Sequence, residues 1–350
     1  MSCGPEQNSA VPAIIDRVVD RVDAVQRRHR VLGFPIAVFK RYGEDNGGWA
    51  GALIAYYGFF SLFPLLVVFV TVATWVLGDR PDLLQTVLEA LWSRVPFAAD
   101  LQTNVEEEVS TLRTNGWATV VSVLVLLWGS LGVARVIQDV VNRLWGVARF
   151  SRPGFLPKIA RSLAIIALLG VGLIATGVVA GVTVTNQFPV VGLALVAVLN
   201  IAVGTAVTLA VYRLGIAQPV RYADLVPGAV VMAVGLYGLT LVASVYVKHV
   251  VARTAGIYGP FATTIGLLAY VSLLVQVFVY ATEVNVVLAR RLWPRSISGR
   301  ALGEPDARAI DLTLRRERLL SQEQLTERGL TAEEAAAVAA GHLESPEATP

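Results

Sequence analysis

The chain has 350 residues, 55% of them hydrophobic and 16% charged, with a formal net charge of +3. Soluble domains carry roughly 45–50% apolar and about 25% charged residues, so this composition excludes the pair of soluble domains that length alone suggests and points to a multi-span membrane protein. A single cysteine, Cys3, excludes an intramolecular disulfide and a cysteine-based zinc site, and His29, His249 and His342 stand too far apart in sequence for metal-ligand spacing, so no cofactor or metal is expected.

In chain order, residues 1–48 lack the uninterrupted apolar run of a secretory signal. Ile14, Val18, Val22 and Val25 recur at helical spacing with Arg17, Arg21, Arg27 and Arg28 between them. That pattern is an amphipathic helix lying on an anionic membrane surface or packing on the rest of the protein. A hydrocarbon core of about 30 Å needs roughly 20 apolar residues per helix. Six stretches qualify, at 49–78, 117–134, 162–184, 190–212, 225–247 and 261–289. They are continuously apolar, not alternating, which predicts an all-α bundle of about six transmembrane helices and not a barrel. Pro64 falls near the middle of the first span and is the expected kink.

Between the first two spans, 79–116 places Leu83, Leu84, Val87, Leu88, Leu91 and Trp92 on one helical face, then Leu101, Val105, Val109 and Leu112 on another beyond Pro96. This segment, with seven acidic and three basic residues, is expected to form an extracytoplasmic helical cap. Its acidic side is either a solvated face or a surface for a cation or partner. Residues 49–289 thus form the membrane domain. The tail 290–350 turns Ala-, Glu- and Arg-rich and is expected to be largely disordered after a short helix or two.

Lys and Arg number 24 in the N-terminal segment, the second and fourth connections and the tail, against 5 in the remaining connections. The positive-inside rule therefore predicts a multi-pass protein with both termini cytoplasmic.

Ionisable groups within spans are costly and usually face the bundle interior or a cavity. Glu283 lies in the sixth span with Asn285 two residues on; Arg135 ends the second apolar run, and Gln138 continues the same helix. Tyr56, Tyr57 and Ser61 lie early in the first span. At 1.5 Å per residue, Glu283 and Tyr56 each lie about 10 Å from the cytoplasmic ends of their spans, and Arg135 is about 27 Å from Trp117. These depths predict one inner-leaflet layer in which Arg135 pairs with Glu283, lowering the cost of burying either. The cluster is either glue between helices or a polar vestibule for an anionic head group, with Arg135 binding, Glu283 carrying a proton, and Tyr56, Tyr57, Asn285 and Gln138 lining it.

Several stretches together resemble the YihY/BrkB family of bacterial inner-membrane proteins, earlier described as ribonuclease BN, and within it the YhjD branch. The first span reads Ala55-Tyr56-Tyr57-Gly58-Phe59-Phe60-Ser61-Leu62-Phe63-Pro64, similar to the family's Ala-Tyr-Tyr…Ser-Leu-Phe-Pro. Gln138-Asp139-Val140-Val141-Asn142-Arg143-Leu144-Trp145-Gly146 looks like its Gln…Asn-Arg-x-Trp-Gly. Arg221-Tyr222-Ala223-Asp224-Leu225-Val226-Pro227-Gly228 occupies the fourth connection, and Tyr258-Gly259 and Glu283-Val284-Asn285 match the two ends of the last span. Ala281-Thr282 replaces the glycine usual before Glu-x-Asn. The resemblance implies six helices, both termini inside and an inner-membrane location, with suggested roles in export of lipid or envelope components and in virulence.

A ribonuclease is disfavoured by the residues themselves: there is no histidine or cysteine pair to hold a metal and no basic, aromatic-laced surface for nucleic acid. Nor does any lysine follow a glycine, which excludes a Walker motif. The reading is a non-enzymatic membrane protein whose partners are lipids, a transporter or flippase exporting an anionic lipid or amphipathic envelope component. A non-transporting scaffold serving envelope integrity or virulence is the alternative.

Overall fold

The computed structural model describes residues 23, 30–92, 102–107, 109, 116–182, 189–246, 260–297 and 302–317. The expected amphipathic helix before Arg30, apart from Asp23, lies outside the described residues, as do 183–188 and 318–350. Among the described residues nine α-helices follow in order: α1 (Arg30–Glu44), α2 (Gly47–Leu77), α3 (Pro81–Trp92), α4 (Gly116–Leu144), α5 (Phe155–Val182), α6 (Pro189–Gly215), α7 (Tyr222–Tyr246), α8 (Pro260–Arg290) and α9 (Glu304–Glu317). Among the described residues there is no strand. Six helices among the described residues, α2 and α4–α8, contain segments long and apolar enough to cross a membrane.

Hydrophobic runs identify these spans but understate their ends. α4 runs past the end of its apolar stretch at 134 to Leu144, the continuation through Gln138 that the sequence suggests, whereas α5 begins at Phe155, not at 162. The added turns carry Arg135, Gln138, Asp139 and Asn142 on α4, and Lys158 and Arg161 on α5. Polar residues break an apolar window without breaking a helix. Pro64 removes one N–H from α2, yet the helix runs uninterrupted through it, and the Pro64 ring lies against Gly129 of α4.

The chain divides into two compact units, one of residues 46–142 and 153–285 and the other of 1–45, 143–152 and 286–350. This differs from the linear expectation of 1–48, 49–289 and 290–350. The segment 143–152 leaves the middle of the chain to join both ends, and α9 is a short helix of the kind expected early in the tail.

In the membrane unit, α5 packs on α6, α6 on α7, and α3 on both α2 and α5. Leu91 of α3, with Val105 and Val109, buries against Leu66, Val67 and Val70 of α2. Those α2 residues precede the helix end at Leu77 by about 10–17 Å. The expected cap therefore lies alongside the second half of the span, its apolar stripe filling space between helices. α2 approaches α4 through small residues: the Ser61 hydroxyl donates to the Gly129 carbonyl at 3.1 Å. In lipid, where apolar contact between helices has little hydrophobic advantage over contact with acyl chains, this close packing supplies the association.

The terminal unit is held by charge. Arg41 Nε meets Asp45 Oδ2 at 2.7 Å with both side chains fully buried. Arg295 bonds Asp306 and Glu44 at 2.7 Å each, and Asp306 also accepts from the Ser296 and Gly303 amides at 3.1 Å. Burial alone would raise the Asp306 carboxyl, but the Arg295 guanidinium and the two amides outweigh it and hold it below its ordinary value. Two left-handed residues end helices in this unit. Gly146, at φ +69°, follows α4, where a Cβ would meet Leu312 at 3.1 Å. Arg291, at φ +53°, follows α8. There the amides of Arg291 and Leu292 bond back to the carbonyls of Leu288 and Val287, the paired bonds of a Schellman cap.

Candidate functional site

The expected polar residues separate into two sets within the membrane unit. Arg135 stands seven residues after Trp128 on α4, on the same face. Its guanidinium lies 4.9 Å from the Trp128 ring centroid and 5.9 Å from that of Phe155 at the start of α5. Both rings are turned outward, 60% and 63% exposed. Its Nε and Nη2 are buried and have no hydrogen-bond partner among the described residues. No ion pair joins Arg135 to Glu283, so the expected pairing is not made. The depth estimate placed both along the membrane normal but carried no information on azimuth, and α4 turns Arg135 toward its own aromatic neighbours.

Glu283 is fully buried on α8, beside the equally buried Thr282 and Asn285. The Thr282 hydroxyl donates to the Phe278 carbonyl at 2.8 Å and is hydrogen-bonded to the Tyr212 hydroxyl of α6 at 3.2 Å. Tyr212 in turn stacks on Phe278, with centroids 5.6 Å apart. Asn285 Oδ1 accepts from the Gly228 amide of α7 at 2.6 Å. Pro227 explains why that bond matters: a proline inside a helix disturbs the preceding turn and deprives a carbonyl of its donor, and the side chain of Asn285 clamps the adjoining amide. The stretches Val226-Pro227-Gly228 and Glu283-Val284-Asn285 thus meet in space.

Tyr56 and Tyr57 do not join the Glu283 set. Tyr56 is 58% and Tyr57 40% exposed, in edge-on contact with each other at 5.6 Å. Tyr57 covers Gly132 of α4, one turn before Arg135; a Cβ there would meet its ring at 3.1 Å. Gln138 is buried and spends its amide on packing, donating to Ser162 Oγ at 2.8 Å and the Lys158 carbonyl at 3.3 Å.

Sequence reasoning missed three participants. Asn142, one turn beyond Gln138, donates to the Gly215 carbonyl at 2.8 Å and accepts from the Ala217 amide at 2.7 Å, tying α4 to the end of α6. Lys158 binds both Asp139 oxygens at 2.7 Å. Tyr212 meets Thr282. The i, i+4 spacing of Gln138 and Asn142 signals the first; nothing in the sequence pairs the other two. No group of His, Cys, Asp and Glu able to hold a metal occurs among the described residues. Chemically, the arrangement offers an arginine framed by outward rings and, apart from it, an enclosed carboxylate with hydroxyl and amide neighbours.

The curated Inner membrane protein YhjD of Escherichia coli (strain K12) is 28% identical over 114 residues, 32% of this chain and 34% of the relative. The alignment therefore spans about a third of that relative's length. No solved structure matches. The family model described as Virulence factor BrkB matches residues 38–301. That range takes in Arg135 with its rings, the Pro227–Asn285 clamp and all six spans, and the chain belongs to the BrkB family of membrane proteins.

Proposed function

We propose that this chain is an inner-membrane transporter or flippase for an anionic lipid or amphipathic envelope component, with both termini in the cytoplasm. The observation that carries the reading is Arg135. A guanidinium in a membrane span, with two nitrogens lacking acceptors and two aromatic faces beside it, is suited to an anionic head group approaching from the lipid. The rings contribute cation–π stabilisation of about 0.5–2 kcal/mol, while a phosphate supplies the charged acceptors that arginine binds best. Glu283, enclosed among Tyr212, Thr282 and Asn285, is the coupling carboxylate in this reading. The inner-membrane location is supported by the name of the E. coli relative, and the orientation by the 24-to-5 distribution of Lys and Arg.

A non-transporting scaffold is the second reading, favoured by the buried amides. Gln138, Asn142 and Asn285 are all engaged in tying helices together.

The test couples retention to movement. Lipids that copurify with the wild type, Arg135→Ala and Glu283→Gln are weighed by mass spectrometry, and proteoliposomes are assayed for translocation of phosphatidylglycerol carrying a fluorescent acyl chain. The expected result is translocation by the wild type, loss of anionic lipid from Arg135→Ala, and retention without movement in Glu283→Gln. Retention without movement in the wild type overturns transport and leaves the scaffold. Equal retention by Arg135→Ala overturns its binding role.

A further inference from the structure

The terminal unit contains a cavity of about 360 Å³ lined by Arg291, Trp293, Pro294, Glu304, Pro305 and Arg308. We propose that this cavity binds the phosphoryl head group of an anionic membrane lipid, at a site separate from Arg135. Its volume falls within the range of small-ligand pockets, roughly 300–1,000 Å³.

The position in the chain argues for lipid. Arg290 is the last residue of the apolar helix α8, and Arg291 and Trp293 follow directly. Basic residues immediately beyond a span are drawn to anionic lipid, and tryptophan favours the head-group region. The walls suit both parts of such a ligand, with the indole and two prolines offering apolar surface and two guanidinium groups offering charge.

The cations are unequal. Arg308 is bound to Glu304 one turn earlier on α9, and the Glu304 side chain is 78% exposed and can swing away. Arg291 is exposed and has neither an ion pair nor a side-chain hydrogen bond among the described residues. It also occupies the left-handed position of the Schellman cap, where glycine is the usual residue because it has no Cβ to strain. Glycine would therefore serve the backbone better, and what arginine adds at this position is its guanidinium.

The walls are fixed before any ligand arrives. Trp293 stands edge-on to Phe34 at 5.8 Å. Behind it, Arg295 and Asp306 lock the segment after α8 to the first turn of α9. With Glu304 counted, the lining keeps a net positive charge, and a phosphate satisfies Arg291 directly while competing with Glu304 for Arg308.

The test titrates the purified full-length chain with dioctanoyl phosphatidylglycerol, dioctanoyl phosphatidylcholine, glycerol phosphate and inorganic phosphate, following Trp fluorescence and native mass spectra. Arg291→Gly is the informative variant, since it removes the cation and relaxes the backbone. The proposal expects phosphatidylglycerol to bind above the other three, and Arg291→Gly to weaken it about tenfold with an unchanged or higher Tm. Arg308→Ala is expected to weaken it less, and Arg315→Ala, on the exposed and paired Asp311 side of α9, not at all. Equal affinity in Arg291→Gly overturns the site. Glycerol phosphate or inorganic phosphate binding as tightly as phosphatidylglycerol overturns the lipid assignment. Arg135→Ala leaves this binding step intact, so its result and that for the head group at Arg135 are read separately.

Discussion

Gly228 sits where α7 and α8 approach too closely for any side chain. A Cβ built there would lie 2.1 Å from the Ala281 carbonyl oxygen and 2.6 Å from the Asn285 amide nitrogen and carbon. Real Cβ atoms never approach backbone so closely, so Gly228→Ala must push the two helices apart, at a cost of about 3 kcal/mol. Asn285→Ala instead leaves the Gly228 amide without its acceptor in a dry interior, at about 1–3 kcal/mol. In the double variant one obstacle is gone, but the Ala281 carbonyl remains, so only part of the Gly228→Ala penalty is recovered. Thermal unfolding in detergent of the two singles and the double measures this coupling, and a near-neutral Gly228→Ala would contradict the contact. The same residue scale shows why the paired Arg135 and Glu283 were not legible as separate. Their depth can be counted along a helix, but the direction in which a side chain leaves it depends on where neighbouring helices pack. Gln138 and Asn285 were recognisable as polar residues in apolar surroundings. That each is bound to a specific backbone group on another helix is a fact of the fold and not of either residue.

α9 is a short helix that the sequence suggests without locating, because the Ala-, Glu- and Arg-rich pattern of the tail is also that of a disordered segment. What orders it is a few groups distant in sequence. Asp306 takes Arg295 and two amides, and Arg41 Nη1 lies 3.4 Å from the Ala309 carbonyl and from Thr313 Oγ1. Asp306 is held below its ordinary value by these partners, so it binds its proton less readily folded than unfolded. Its contribution is fully present above the unfolded value of about 3.9 and is lost as pH falls from there through the lower native value. Hydrogen exchange at the Ser296 and Gly303 amides, both bonded to Asp306, is therefore expected to be flat from neutral pH to about pH 5 after correction for intrinsic rates, and to lose protection below about pH 4. Asp306→Asn is expected to show the acid pattern already at pH 7, losing about 3 kcal/mol as a broken buried pair, with Glu44 retaining part of the Arg295 interaction. Unchanged protection in Asp306→Asn would show that α9 is ordered without Asp306, by its apolar contacts and Arg41. The spans, by contrast, were legible from apolar run length, because lipid leaves the backbone no alternative to internal hydrogen bonding. Of their polar end turns, that of α4 was legible through Gln138, whereas the one that opens α5 was not, since a lysine or arginine in a helix and one in a loop look the same to a hydropathy window.

At the scale of the whole molecule, the quantity that discriminates is the placement of charge and not its sum. A net +3 would suit a soluble protein equally well, whereas 24 of 29 basic residues in the terminal segments and in the second and fourth intervals between apolar runs is an orientation signal. The chain offers a clean way to read it, because Cys3 is its one cysteine. In a Cys3→Ser background, a cysteine placed at Gln85 on the exposed side of α3 and another at Ser151 in the second connection report opposite faces of the membrane. Both positions are exposed in the fold, so packing does not block a membrane-impermeant maleimide at either. The orientation argued from charge expects Gln85→Cys to react in intact cells from the outer face, and Ser151→Cys to react only after the membrane is opened. α3 makes this a demanding test, since its apolar stripe is engaged with α2 and α5 while the Gln85 side carries the Gln85–Glu89 bond at 2.9 Å and turns away from them. Labelling of Ser151→Cys alone in intact cells would invert the topology and move the Arg291 cavity to the opposite leaflet. The positive-inside imbalance would then need a different cause.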